Sequence, residues 1–551
     1  MRKALVLALC LLSPGTSRAR DLDPVTRDAV SRVDIGRAAT HVQFLGRDLL
    51  MGRSPGTEGA EIAARYISDR LHEIGLVPAG DGGTFHQQVP LHGSQPSRES
   101  RLTITTRDGS VDLELWDDYL LYATGDQTSV ARPIPVVFAG YGITAPEFDY
   151  DDYLSIDVDG AVAVFLTGEP RSDDPSYFEG ATATIHSSPG VKQRLALSRG
   201  AKGSILLPSP ASLEARGWDR WRRDFSFEHL TLAYGWSENL NILLNPGVAD
   251  LLFQGAAFGF EDVCAMDSAG EMRSFELKTR AGFRGDFHER DFQSPNIAAL
   301  LPGCDPLLEN SYLVISAHYD HLGVGVPVRG DSIYNGVVDN ASGVAAVLEM
   351  ARVFSQLEPG PGRSILFLFV TAEEAGLLGS RYYCDHPLVP LGKTVANLNV
   401  DGLAFLDTFD SVIGVGAEFT TLSRRLDEAA GALGLRVSPL PGGLSVREEF
   451  AHSDQYAFAE AGVPSILIQE GLDFRHVLPE EAVRRLLEWG RDVYHSPFDD
   501  LDQEINMAAG QEHLEVLTAM AGSLAQTHEV PQWMPGLGFS VARMRTLIEG
   551  R

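Results

Sequence analysis

The 551-residue chain is long enough for two to four folded units at roughly 100 to 200 residues each, which excludes a single small binding module. Its 45 Lys and Arg face 75 Asp and Glu, a net charge of −30, and that balance argues against nucleic-acid backbones and anionic membrane surfaces as partners. With 44% hydrophobic and 22% charged residues and no low-complexity block, the composition is that of a globular protein.

The N-terminus runs from Arg2 and Lys3 through an apolar stretch over 4–12 to the small-x-small triplet Ser17-Arg18-Ala19. This is the pattern of a secretory signal peptide cleaved after Ala19, so the mature chain is expected in the periplasm or outside the cell. The apolar stretch is far shorter than the roughly 20 residues that span a bilayer, and no later stretch is long enough, so stable membrane insertion is not expected. Cys10 follows Leu9, where a lipoprotein site would carry a small residue. The mature chain keeps Cys264, Cys304 and Cys384, without the spacing of a disulfide framework or a thiolate zinc site.

Apolar residues at helical spacing predict helices over 33–50 and 57–74, the second ending at Gly75. From 102 onward the pattern turns to short strands, at 102–105, 135–138, 161–166 and 204–207, the sign of an inserted β-rich unit ending near Phe275. From 296 apolar strands alternate with helices, with strands over 312–317, 365–371, 395–400 and 465–469 and a helix over 341–357. That alternation predicts an α/β body with a mostly parallel central sheet flanked by helices.

The acidic and imidazole residues sit just past the carboxyl ends of these strands, where open α/β sheets bind ligands. His318 and Asp320 end the first strand, on the same side of it. Asp339-Asn340 opens the following helix, Glu373-Glu374 follows the second strand, Asn399-x-Asp401 ends the third, and Tyr494-His495-Ser496-Pro497 precedes the acidic run Asp499, Asp500, Asp502. Taken singly, Asp339-Asn340 reads as a helix cap and Glu373-Glu374 as an ordinary acidic pair. Taken together, two imidazoles and three carboxylates with one carboxylate left over match two divalent ions about 3.5 to 4 Å apart. Imidazole and carboxylate without thiolate suit zinc. The chain has no H-E-x-x-H, G-x-S-x-G, phosphate-binding loop or dinucleotide fingerprint.

These residues resemble the zinc-dependent exopeptidase family of secreted aminopeptidases and glutamate carboxypeptidases. The resemblance spans nearly the whole mature chain. It rests on Gly52-Arg53-Ser54-Pro55-Gly56-Thr57-Glu58-Gly59, Ser316-Ala317-His318-Tyr319-Asp320-His321-Leu322-Gly323, Val338-Asp339-Asn340-Ala341-Ser342-Gly343, Thr371-Ala372-Glu373-Glu374-Ala375-Gly376, Asn399-x-Asp401 and Tyr494-His495-Ser496-Pro497. Phe138-Ala139-Gly140-Tyr141-Gly142-Ile143 and Tyr150-Asp151-Asp152-Tyr153 resemble the protease-associated domain that some members carry as an insert. The implied organisation is a signal peptide over 1–19, a discontinuous catalytic domain over 20–117 and 276–530, a protease-associated insert over 118–275 and a C-terminal tail over 531–551.

The resemblance implies His318 and Asp401 on one zinc, Glu374 and His495 on the other, and Asp339 bridging both. It implies Glu373 as general base, Asp320 as the residue that orients His318, and a cis peptide at Asp339-Asn340. Val338 departs from an Asp-Asp pair, and Gln455 in Ser453-Asp454-Gln455 stands where the family commonly has His. His321, His452 and His476 read as supports behind the ligands or as structural, because the ligand set is complete without them. The implied activity is a secreted di-zinc aminopeptidase that hydrolyses N-terminal residues of peptides with a free N-terminus, using a water between the ions and Glu373 as base.

A glutamate carboxypeptidase-like hydrolase would need basic groups in its pocket, for which Arg447 and Arg475 are available. A glutaminyl cyclase needs only one zinc, and a receptor-like non-catalytic member would have lost ligands that are retained here. A negative cleft would attract a peptide's amino terminus.

Overall fold

A computed structural model describes residues 22–550, apart from 123–124, 126–127, 173, 175, 181–182, 236–238 and 442–444. The signal-peptide segment and Cys10 lie outside the described residues.

The helix expected over 57–74 forms as Glu58–Ile74, with Thr57 capping its start and Gly75 ending it at φ 87°, a left-handed conformation that glycine adopts freely. Its buried stripe of Ala60, Ala63, Ala64, Ile67 and Leu71 lies on the main core. The stretch 33–50, expected as one helix, is the helix Ile35–Leu45 followed by a tight turn over Asp48–Arg53. Met51 and Gly52 have positive φ there, so the chain turns inward at Arg53.

A ten-stranded sheet forms the body. Its centre is four parallel strands in the order Ser364–Val370, Tyr312–His318, Thr394–Asn399 and Ser465–Glu470. Antiparallel strands extend both edges, with Phe287–Leu301 and His86–Pro96 on one side and Ser411–Val415 on the other. Ser364–Val370 and Thr394–Asn399 are buried at every residue, as strands covered on both faces must be. Helices Gly343–Ser355 and Met507–Gln526 pack into the same core. Among the described residues, no helix is long and apolar enough to cross a membrane.

A second, eight-stranded sheet has its own cores. It takes strands from both sides of 118–275: Arg101–Thr106 and Gly109–Leu113 before it, and Phe275–Arg284 across its end. Phe275–Arg284 is one strand whose pairing with Arg101–Thr106 continues to Arg284, and a composition boundary cannot register a pairing partner so distant in sequence. In the opposite sense, His229–Leu232 leaves this stretch and pairs with His86–Pro96 at the edge of the main sheet. The segment after 530 also packs on the body: Trp533 is buried with its indole N–H donating to the Gly462 carbonyl, and Arg543 donates to the carbonyls of Leu391 and Thr394. Cys264, Cys304 and Cys384 are all free thiols.

Candidate metal centre

Three adjacent parallel strands deliver acidic and imidazole side chains at their carboxyl ends. His318 is the last residue of Tyr312–His318, Glu373 and Glu374 follow Ser364–Val370, and Asp401 follows Thr394–Asn399. Asp339 and His495 come from the segments before Gly343–Ser355 and after Pro479–Asp492.

The Asp339 carboxylate lies between two imidazoles. Its Oδ1 is 3.2 Å from His318 Nε2, and its Oδ2 is 3.2 Å from His495 Nε2. His318 Nε2 is also 3.2 Å from Asp401 Oδ1, and His495 Nε2 is 3.1 Å from Glu374 Oε2. All five residues expected to hold metal, and Glu373 beside them, are thus brought together. The donor atoms of His318, Asp339 and Asp401 lie within 4.8 Å of one another, and so do those of His318, Glu373 and Glu374 and those of His321, Asp339 and Glu374.

The His495 Nε2 atom is buried and makes no aligned hydrogen bond, although two carboxylate oxygens stand close to it. Such a donor set converges on a common point rather than pairing off, and its imidazole and carboxylate chemistry fits zinc. The electrostatics agree. Burial alone would raise the Asp339 carboxyl, yet the His318 and His495 imidazoles beside it hold it well below the carboxylate range. Against the same effect of burial, His495 and His321 hold Glu374 down at about 2. Burial opposes charge on His495, but Glu374 and Asp339 push it up to about 10. The cluster therefore demands positive charge, which protons on the imidazoles supply when no other cation does.

The backbone around Asp339 is held by residues far away in sequence. The Asp339-Asn340 peptide is cis. Asp499 accepts the backbone N–H groups of Val338 and Asp339 at 2.9 and 3.0 Å. Asn340 Oδ1 accepts from Gly343 and Gly402, so the capping role belongs to Asn340 while Asp339 faces the cluster. Arg53, buried, donates to the carbonyls of Leu45, Tyr319, Asn335 and Gly336 and thereby ties both loops that carry the site. Neither Arg53 nor Asp499 stood out by residue type; each lies in a motif or acidic run, the only signal that pointed to it.

Asp320 is placed differently from the simplest expectation. His318 Nδ1 is 3.2 Å from the Asp320 backbone carbonyl and 3.8 Å from its carboxylate. The carboxylate instead accepts the Glu373 N–H at 3.1 Å. His321, read from sequence as a support behind the ligands or as structural, has Nδ1 2.6 Å from Glu374 Oε1. His452 is exposed at the rim, and His476 bonds Asp407. Gln455 accepts from Asn399 Nδ2 alongside Ser453, so it supports the strand leading to Asp401.

Two cavities meet this cluster. One, of about 370 Å³, reaches Glu374 and His321 and is walled by Tyr122, Phe225, Phe227 and His229. The other, of about 360 Å³, reaches Asp339 and Asp401.

The sequence model of peptidase family M28 matches residues 296–521, the span that contains every residue of the cluster. The chain carries a peptidase family M28 domain. Leupeptin-inactivating enzyme 1 of Streptomyces exfoliatus is 27% identical over 282 residues, half of this chain and 56% of that protein. Vacuolar membrane protease of Saccharomyces cerevisiae is 35% identical over 111 residues, 20% of this chain and 10% of that protein. The chain thus spans about half the length, or less, of these curated relatives. Among solved structures, the aminopeptidase from Aneurinibacillus sp. strain AM-1 superposes with a TM-score of 0.56 at 20% identity, over 92% of this chain and 97% of that one. The M28 domain and the sheets around it therefore share the fold of that aminopeptidase.

Proposed function

We propose that the protein is an exported metallo-exopeptidase, an aminopeptidase with two zinc ions and peptide substrates. The observation that carries the reading is Asp339, which offers one carboxylate oxygen to each of two imidazole-carboxylate pairs. His318 and Asp401 would hold one ion, His495 and Glu374 the other, and Asp339 both. Bound there, zinc supplies Lewis acidity, which polarises the scissile carbonyl and makes a water easier to deprotonate.

Glu373 is the proton carrier. Its carboxylate takes a proton from the attacking water and returns it to the departing amine, so one group serves as base and then acid. Its surroundings support that role. Burial, aided by Asp454 and Glu374 against the opposing pull of His318, pushes its carboxyl well above the carboxylate range, which makes the carboxylate a stronger base. The Asp320 carboxylate accepts the Glu373 N–H and so positions its backbone.

The carboxypeptidase reading is less favoured by the cavities. Among the described residues that line them, none is Lys or Arg, and Arg475 is already paired with Asp410 and Glu512. The segment 118–275, read as a protease-associated insert, supplies one wall of the cleft through Tyr122 and the stretch around Phe227, a placement that limits access to peptides. Export rests on the leader over 1–19.

The test is a panel of aminoacyl chromogenic substrates, with N-acetylated and C-terminal glutamate controls, run with and without a chelator beside zinc analysis. About two ions per chain and chelator-sensitive cleavage of free-amine substrates are expected. Cleavage of blocked substrates alone would remove the aminopeptidase reading.

A further inference from the structure

Resting on the aminopeptidase reading, we infer that the cavity beside Asp339 and Asp401 selects peptides whose N-terminal residue is Lys or Arg, with Glu470 as the charge-reading side chain.

An aromatic track leads from the cluster into this cavity. The Tyr494 ring stacks on His495 with centroids 3.9 Å apart, Trp489 stands 5.6 Å from Tyr494, and Phe405 5.0 Å from Trp489. Leu467 and Val415 line the same cavity. Such walls suit a long aliphatic stem and offer ring faces to a cation. Glu470 ends the strand Ser465–Glu470, and Glu449 stands on the helix Val446–Ala451; both line the cavity.

No Lys or Arg lines the cavity among the described residues, and Glu470 has no ion-pair partner there. Burial raises the Glu470 carboxyl above its ordinary range, the response of a carboxylate that lacks a counter-charge. Among the described residues, the ion-pair partner of Glu449 is the exposed His452, 3.9 Å away. His513, which also lines the cavity, bonds the Ala404 N–H and the Ile468 carbonyl and is kept neutral by burial.

Ions held by Asp339 and Asp401 would neutralise those two carboxylates and leave Glu470 and Glu449 uncompensated. A leucine side chain would leave them so, at a desolvation cost, and an acidic one would be repelled. A lysine ammonium or arginine guanidinium supplies the missing charge.

The experiment compares lysyl, arginyl, leucyl, phenylalanyl and glutamyl p-nitroanilides on the zinc-loaded protein and on Glu470→Gln and Glu449→Gln variants. Lysyl or arginyl kcat/KM is expected to exceed leucyl by about tenfold or more, and Glu470→Gln to lower the lysyl-to-leucyl ratio about tenfold, chiefly through KM. Preference for leucine or phenylalanine, or an unchanged ratio in both variants, overturns the inference. Calorimetric binding of lysinamide and leucinamide is run alongside. If no anilide is cleaved but lysinamide binds more tightly and loses that advantage in Glu470→Gln, the activity reading fails while the cavity assignment stands. Equal binding of the two amides overturns the assignment as well.

Discussion

His321 Nδ1 stands 2.6 Å from Oε1 of Glu374, while the other oxygen of that carboxylate lies 3.1 Å from His495 Nε2. His321 is buried and thus fixes which oxygen of Glu374 turns toward the cluster. Truncation to His321→Ala is expected to weaken zinc binding about 10- to 100-fold, as loss of a group that orients a ligand does. Competition against a chromogenic chelator measures it, and an unaltered affinity would show that Glu374 is positioned without His321.

Glu373→Gln preserves shape and removes the proton-carrying carboxylate. The expected outcome is a fall in kcat of about 100- to 10,000-fold with zinc content unchanged. Substantial residual turnover would take the proton-transfer role away from Glu373.

Asp339→Ala removes the carboxylate that faces both imidazoles, so the metal content of the purified protein should drop along with activity. A variant that retains two ions by elemental analysis would contradict the bridging assignment.

Arg53 donates to four main-chain carbonyls from a buried position. Arg53→Met leaves those carbonyls without a donor, at a cost of about 3 kcal/mol or more. Urea unfolding measures the loss. A midpoint equal to wild type would mean that water or rearrangement replaces the guanidinium.

His513 is buried between the Ala404 N–H and the Ile468 carbonyl, and burial lowers it from 6.5 to about 4. The unfolded chain therefore takes up a proton below pH 6.5 that the folded chain refuses until about pH 4. The stability this group provides is complete above pH 6.5 and is lost as the pH falls toward 4, by up to about 3 kcal/mol. In His513→Gln the acid slope of unfolding free energy should be flatter by up to one proton; an identical slope would show that His513 does not carry it.

Much of the body is legible along the chain because its signals are local. The mostly apolar run Ser364–Val370 is buried throughout, and the carboxyl ends of this strand and its two parallel neighbours deliver His318, Glu373, Glu374 and Asp401. The Asp339-Asn340 cis peptide expected from the resemblance is present. The unit containing the second sheet was also visible as a change of pattern near Leu102, but its edges were not. Phe275–Arg284 crosses the expected boundary because it pairs with Arg101–Thr106, and His229–Leu232 joins the other sheet.

By itself the sequence determined the periodicities, the order of the motifs and the residue types available for metal chemistry, since each is encoded within a few neighbouring positions. Only the tertiary structure decided that Arg53 ties the site loops, that Asp499 holds the Asp339 backbone, that His321 turns Glu374, and that Glu449 and Glu470 share a cavity with Asp339 and Asp401. Those relations join positions tens to hundreds of residues apart. They depend on which strands lie side by side and on how burial strips charges of water, and neither is written in any local stretch of chain.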